Sequence, residues 1–152
     1  SFGYANYIMS IEQGVRNAAD IVLQGQINIE GWHYVSAPGE VPFGAGWSNY
    51  AEGGGSGLNA LGFRKTSQGQ VFLKGRVGTS TYDTDGALVF TLPAGYLPPN
   101  NERRSFATII GDGDHRNCEV EIFGDGRVML YSTVFTGSNA DGHLDGINFF
   151  IN

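Results

Sequence analysis

A single cysteine, Cys118, means that neither an internal disulfide framework nor a cysteine-based zinc cluster can organise this sequence. Charge is also scarce. Asp, Glu, Lys and Arg make up 16% of the 152 residues against a hydrophobic share of 41%, which excludes a disordered polyelectrolyte. Basic residues are the scarcer sign, nine against fifteen acidic, for a net charge of −6. No basic stripe exists, so nucleic acid is not an expected partner. No apolar run approaches the ~20 residues of a membrane span, so membrane insertion is not expected either. The chain opens Ser1-Phe2-Gly3, with no Met and no signal peptide, and reads as a piece of something longer. What it has in excess is glycine, 24 residues, more than twice the usual share of about 7%. A chain of this length makes one domain and hides roughly 70% of its unfolded surface.

Two segments differ in pattern. In residues 1–25, Tyr4, Ile8, Ile11, Val15, Ala18 and Val22 recur at steps of 4, 3, 4, 3 and 4, the seam of a coiled coil. Gly25 supplies the stop. A helix of about 20 residues is marginal alone in water, so it needs either the rest of the chain or copies of itself. A helix lying on the rest of the chain is the competing reading. In residues 26–152 the period is two. Val71, Leu73 and Val77 alternate with Gln70, Lys74 and Arg76; Cys118, Val120 and Ile122 alternate with Glu119 and Glu121; Ile147, Phe149 and Ile151 alternate with Asn148 and Asn152. These are half-buried antiparallel strands. Others are expected near residues 27–29, 32–35, 61–65, 87–92, 106–110 and 128–131. Phe123-Gly124-Asp125-Gly126-Arg127 is a hairpin signal. About nine short strands predict an all-β head, an antiparallel sandwich of jelly-roll type. The glycine-dense residues 44–57 read as a long loop.

The chemistry-bearing residues point away from catalysis. His33, His115 and His143 form no zinc motif, and no Gly-x-Ser-x-Gly elbow is present. Cys118 falls on the inward face of its strand and reads as a buried structural thiol. Glu119 and Glu121 share a strand face predicted to be solvated, so they are not read as a hydrolytic pair. Asp83, Asp85, Asp112, Asp114, Asp141 and Asp145 lie at glycine-containing turns, where aspartate is an ordinary turn former, and no EF-hand loop is complete. No enzyme activity, cofactor or metal site is expected, though one structural Ca²⁺ near residues 112–114 stays open. Surface recognition remains. Trp47 and Tyr50 place two large aromatics among glycines, suited to stacking on sugar faces. Asp112, Asp114, His115 and Arg116 offer directional hydrogen bonds on one turn. A shallow saccharide or glycerol-phosphate site follows from that pairing; the alternative is that Trp47 caps the core and the polar run solvates a hairpin tip.

One ordered set of motifs is more specific. Leu61-Gly62-Phe63-Arg64-Lys65 leads to Val71-Phe72-Leu73-Lys74-Gly75-Arg76-Val77, then to Thr91-Leu92-Pro93-Ala94-Gly95-Tyr96-Leu97-Pro98, then to Val120-Glu121-Ile122 and the Gly-Asp-Gly hairpin. Over about residues 60–130 this order resembles the carboxy-terminal heads of bacteriophage tail-fibre and baseplate receptor-binding proteins. The resemblance implies a homotrimer of β-sandwich heads on a short coiled-coil neck, carried on the virion as a tail or baseplate appendage. It further implies contacts with other tail or baseplate proteins and binding to a host saccharide or teichoic-acid-like polymer. It supplies no site residues, which rest on the residue reading alone. Two other classes fit the same sequence: a structural virion knob without glycan binding, and a carbohydrate-binding module of a secreted enzyme. A trimeric jelly roll of the tumour-necrosis-factor or complement type could share the architecture by convergence.

Overall fold

The computed structural model describes residues 11–13, 28–50, 59–80, 86–111, 116–132 and 140–151. Among the described residues, eleven strands carry the fold: β1 His33–Tyr34, β2 Trp47–Asn49, β3 Gly62–Lys65, β4 Gln70–Lys74, β5 Arg76–Thr79, β6 Ala87–Thr91, β7 Arg104–Gly111, β8 Arg116–Ile122, β9 Arg127–Tyr131, β10 Ala140–His143 and β11 Asn148–Phe150. All pairings are antiparallel. The expectation of an all-β antiparallel fold holds.

The strands form two sheets. One has four strands in the order β1-β3-β4-β11, the other seven in the order β2-β5-β10-β7-β8-β9-β6. The larger sheet nearly closes. Phe43 bridges Phe90 on the edge strand β6, and the Gly44 amide donates to Val89 (2.7 Å). A few residues later the same segment becomes β2 on the opposite edge, paired with β5. One stretch of backbone therefore ties both edges, which removes most of the unpaired N–H and C=O groups an open sheet would present.

The alternation read from the sequence fixes which faces turn inward. Val71 and Leu73 on β4, Val77 on β5, Cys118, Val120 and Ile122 on β8, and Phe149 on β11 are all buried. They join Phe63, Phe90, Leu92, Ile110, Val128 and Leu130 in one apolar cluster. The chain passes between the sheets from β1 to β2, β2 to β3, β4 to β5 and β10 to β11, and the last two passages are clasped together. Gly75 separates β4 from β5 with φ +112°, and a Cβ there would lie 2.6 Å from the Ala60 carbonyl oxygen. Only glycine fits that backbone and that space. The crossing from β10 to β11 is clasped to the one at Gly75. The Leu144 amide donates to Gly75 O (2.9 Å), and Asp145 Oδ1 accepts from the Gly75 amide (2.9 Å).

Two sequence expectations need correction. Residues 44–57 are not all loop: Trp47–Asn49 is a strand, registered against Val77–Thr79 of β5. Its far end is held by Asn49 Oδ1, which accepts from the Leu61 amide (2.8 Å). Strand β10 was not expected either, because Asp141, Gly142 and His143 lack an apolar alternation. It is filled from outside: a Cβ on Gly142 would lie 2.6 Å from Leu130 Cδ1, so the Leu130 side chain of β9 occupies the space.

On the amino-terminal seam, residues 11–13 are helical and Ile11 is exposed. Tyr4, Ile8, Val15, Ala18 and Val22 lie outside the described residues. Among the described residues, no helix is long and apolar enough to cross a membrane.

Candidate functional site

The Leu-Pro-x-Gly-Tyr-x-Pro corner after β6 folds as a turn. The Tyr96 amide donates to Pro93 O (3.2 Å), Gly95 has φ +90°, and the Leu92 amide is held by Gly126 O (2.8 Å). That turn delivers the Tyr96 ring onto β1 and β3. It meets Phe63 edge-on at 4.9 Å between centroids and His33 at 5.8 Å. Lys65 at the end of β3 donates to Gly95 O (2.7 Å) and holds its ammonium 4.5 Å from the centre of the Tyr96 ring.

A polar cluster forms around the phenol. Glu30 Oε1 accepts from the Tyr96 hydroxyl (2.6 Å) and from the Lys65 amide (2.8 Å). His33 Nδ1 lies 2.9 Å from Glu40 Oε1, and Nε2 lies 3.2 Å from the Tyr96 oxygen. A carboxylate only accepts, so Nδ1 carries a proton toward Glu40. Burial, then the hydrogen bond and negative charge of Glu30, then the charge of Glu40, push the Tyr96 phenol well above its ordinary range. It therefore stays a donor. Beside this cluster, Asn28, Glu30, Lys65, Thr66 and Ser67 line a shallow pocket of about 230 Å³. A carboxylate, an ammonium, an amide and two hydroxyls around a small concavity suit a ligand rich in hydroxyl groups.

The residues singled out from the sequence fall elsewhere. Trp47 is only 7% exposed and belongs to the core, so its ring is not an accessible stacking platform. Burial follows from its place at the start of β2, opposite Thr79 of β5, which is itself buried. Tyr50 is half-buried. The Arg76 guanidinium lies 4.4 Å from the centre of its ring, and the same guanidinium pairs with buried Asp141. His143 Nε2 stands 3.4 Å from Asp141 Oδ2. Asp141 is thus committed inside the sheet. Arg116 opens β8 and is exposed. Its register row runs through Ile110, Gly142 and Val77 to Asn49, four strand spacings or about 19 Å along the sheet. Tyr50 and Arg116 are therefore not brought together along it. Asp112, Asp114 and His115 lie outside the described residues. Among the described residues, no group of three or more His, Cys, Asp or Glu is placed to hold a metal ion.

Sequence reasoning had the Tyr96 corner as a motif but missed its partners Glu30, His33, Glu40 and Lys65. They come from three separate stretches, and no spacing rule links them. The one available signal was Tyr96 itself, a large amphipathic ring fixed on a tight turn, which when buried needs a polar partner for its hydroxyl.

No family model matches the chain, and no curated protein matches it. Among solved structures it is similar to the crystal structure of the receptor binding protein of Listeria phage PSA, with a TM-score of 0.64 at 13% identity. The match covers 95% of this chain and 78% of that one. With nearly the whole chain superimposed, it has the fold of that phage receptor binding protein.

Proposed function

We propose that this chain is the receptor-binding head of a bacteriophage tail fibre or baseplate, and that it attaches the virion to saccharide on the host surface. The observation that carries the reading is the shared fold across 95% of the chain with a phage receptor binding protein. The order of motifs over residues 60–130 supports it independently, being a property of the sequence alone. In this reading two packed sheets form a sandwich-like head on a short coiled-coil neck, and three copies assemble about the seam. Ile11, on that seam, is exposed in the single chain. The head works by binding, not by turnover.

Two places on the head are offered for ligand contact. One is the pocket beside Tyr96, with Asn28, Lys65, Thr66 and Ser67 at its wall. The other is the polar run of Asp112, Asp114, His115 and Arg116, with Tyr50 as a separate aromatic contact. Trp47 is left out because it is buried. Each contact is weak alone, since shallow polar sites gain little once desolvation is counted. Three linked copies raise avidity about a hundredfold or more without a new contact.

The test is binding of purified protein to whole envelopes from a broad bacterial panel. Wild type, Asn28→Ala/Ser67→Ala and Asp114→Ala/Arg116→Ala are compared at equal folded mass. The expected result is saturable wild-type binding to some envelopes and a loss of at least tenfold in one of the two variants. Equal binding by all three moves the site elsewhere while the role stands. No binding to any envelope overturns the role and favours a structural knob.

A further inference from the structure

The half-buried ring of His33 stacks on Phe63 of β3, 5.2 Å between centroids and 17° between planes. Oxygen faces it on both sides. Nδ1 lies 2.9 Å from Glu40 Oε1, and Nε2 lies 3.2 Å from the Tyr96 oxygen and 3.7 Å from Glu30 Oε1. These partners restrict where protons can sit. A carboxylate only accepts, and the Tyr96 hydroxyl has one proton, which Glu30 Oε1 takes at 2.6 Å. Toward His33 the Tyr96 oxygen therefore presents lone pairs. A neutral imidazole has one N–H and one bare nitrogen. With the proton on Nδ1, bare Nε2 faces the lone pairs of Tyr96. With the proton on Nε2, bare Nδ1 faces the Glu40 carboxylate. Only the imidazolium donates both ways, and it completes a chain from Glu40 through His33 and Tyr96 to Glu30.

Charge points the same way. The charged groups around the ring are Glu30 on the approach to β1, Glu40 in the turn that follows β1, and Lys65 at the end of β3, whose ammonium rests on the Tyr96 ring. Phe63 brings none. Two carboxylates against one ammonium leave the cluster a positive charge short of balance, and the imidazolium supplies it. The chain of bonds also joins separate pieces of backbone. Glu40 belongs to residues 36–44, the strap that leaves β1 and closes the larger sheet at Phe43 and Gly44. Ser36 starts the strap with φ +64°, a strained region for a non-glycine residue, and its Oγ accepts from the Phe43 amide (3.1 Å). Tyr96 belongs to the corner after β6.

We propose that His33 is a proton-operated latch: as the imidazolium it fastens both the strap and the Tyr96 corner to β1, and on loss of its proton one of the two fastenings opens. The sign follows from the donors. The closed latch is present on the acid side and is lost as pH rises through the titration of the imidazole. Glu30 also walls the shallow pocket beside Tyr96, so closure balances the carboxylate that the pocket presents.

Hydrogen exchange of the whole protein, without ligand, reads the two fastenings separately. In the strap the Ser36 amide donates to Val41 O (2.7 Å) and the Glu40 amide to Ala37 O (2.9 Å); in the corner the Tyr96 amide donates to Pro93 O (3.2 Å). After correction for the intrinsic pH dependence of exchange, protection in the strap or in the corner is expected to fall at least tenfold from about pH 5.5 to about pH 8, the range in which histidine changes charge. His33→Gln is expected to show the low protection at both pH values. Should that variant fail to fold, the wild type decides alone: near the acid end of the range, about pH 5.5, both ring N–H protons of His33 are expected to exchange with water at least tenfold more slowly than those of a free imidazolium. Three results overturn the latch: flat protection in the wild type, the same pH dependence in His33→Gln, or ring protons that exchange as fast as those of a free imidazolium.

Discussion

Burial decides the chemistry of Cys118. The thiol points inward from β8 and is 8% exposed, and desolvation pushes its pKa from 9.0 up to about 12. It is held as a neutral thiol, so a disulfide-exchange reagent at neutral pH is expected to react with the folded protein at least a hundredfold more slowly than with the unfolded chain. The pH consequence has a definite sign. A group whose pKa is raised by folding contributes its full stability below the unfolded value, and that stability is withdrawn as pH climbs toward the folded one. Equilibrium unfolding of the wild type should therefore weaken between pH 9 and about 12 more steeply than that of Cys118→Ala. An identical alkaline limb in the two proteins would show that the thiol does not ionise on unfolding in that window. The inward place of Cys118 was legible because alternation with Glu119 leaves it only one face. The place of Trp47 was legible only as the alternative that it caps the core. Its neighbours are glycines and small polar residues, and what buries it is the non-local pairing of Trp47 with Thr79.

At the scale of elements, the strands with clean alternation were all visible in the sequence, and the two without it were not. Strands β2 and β10 exist because partners already in place offer them a slot: β5 for both, and β7 on the far side of β10. Local pattern carries no record of a slot made by strands distant in sequence, which is the tertiary override of propensity. The crossing at Gly75 shows the same limit from the other direction. The segment from Gln70 to Thr79 reads as one continuous alternating run, yet Gly75 bends it from one sheet into the other. Gly75→Ala must force a left-handed backbone on an L-residue and press a methyl into the Ala60 carbonyl. We expect a loss of roughly 2–4 kcal/mol, seen as a fall of roughly 5–15 °C in thermal midpoint. An unchanged midpoint would mean that the two sheets can part at this corner without cost.

For the molecule as a whole, the prediction concerns number. If the seam from Tyr4 to Val22 lies at a threefold axis, light scattering at micromolar concentration gives three times the 16.3 kDa chain mass. Ile11→Asp then returns a monomer or an unfolded chain. A wild-type monomer, or a variant of unchanged mass, removes the seam from the axis. The closing of the larger sheet could not be foreseen from the sequence, since it depends on the Phe43–Phe90 bridge, a pairing between residues 47 positions apart. The clasp between the sheets has a further, mechanical meaning. In the attachment reading, a ligand held beside Tyr96 loads the smaller sheet, while the neck, if it carries the virion, pulls from elsewhere. Two of the crossings between the sheets, Gly75 and the Leu144–Ile147 turn, are hydrogen-bonded to one another rather than joined by slack chain. Tension entering at the ligand is shared at once by two backbones and must shear a bonded clasp before either sheet peels. If the head attaches as proposed, release of the ligand is expected to precede parting of the sheets under load, which single-molecule pulling on the bound head would show as rupture ahead of unfolding.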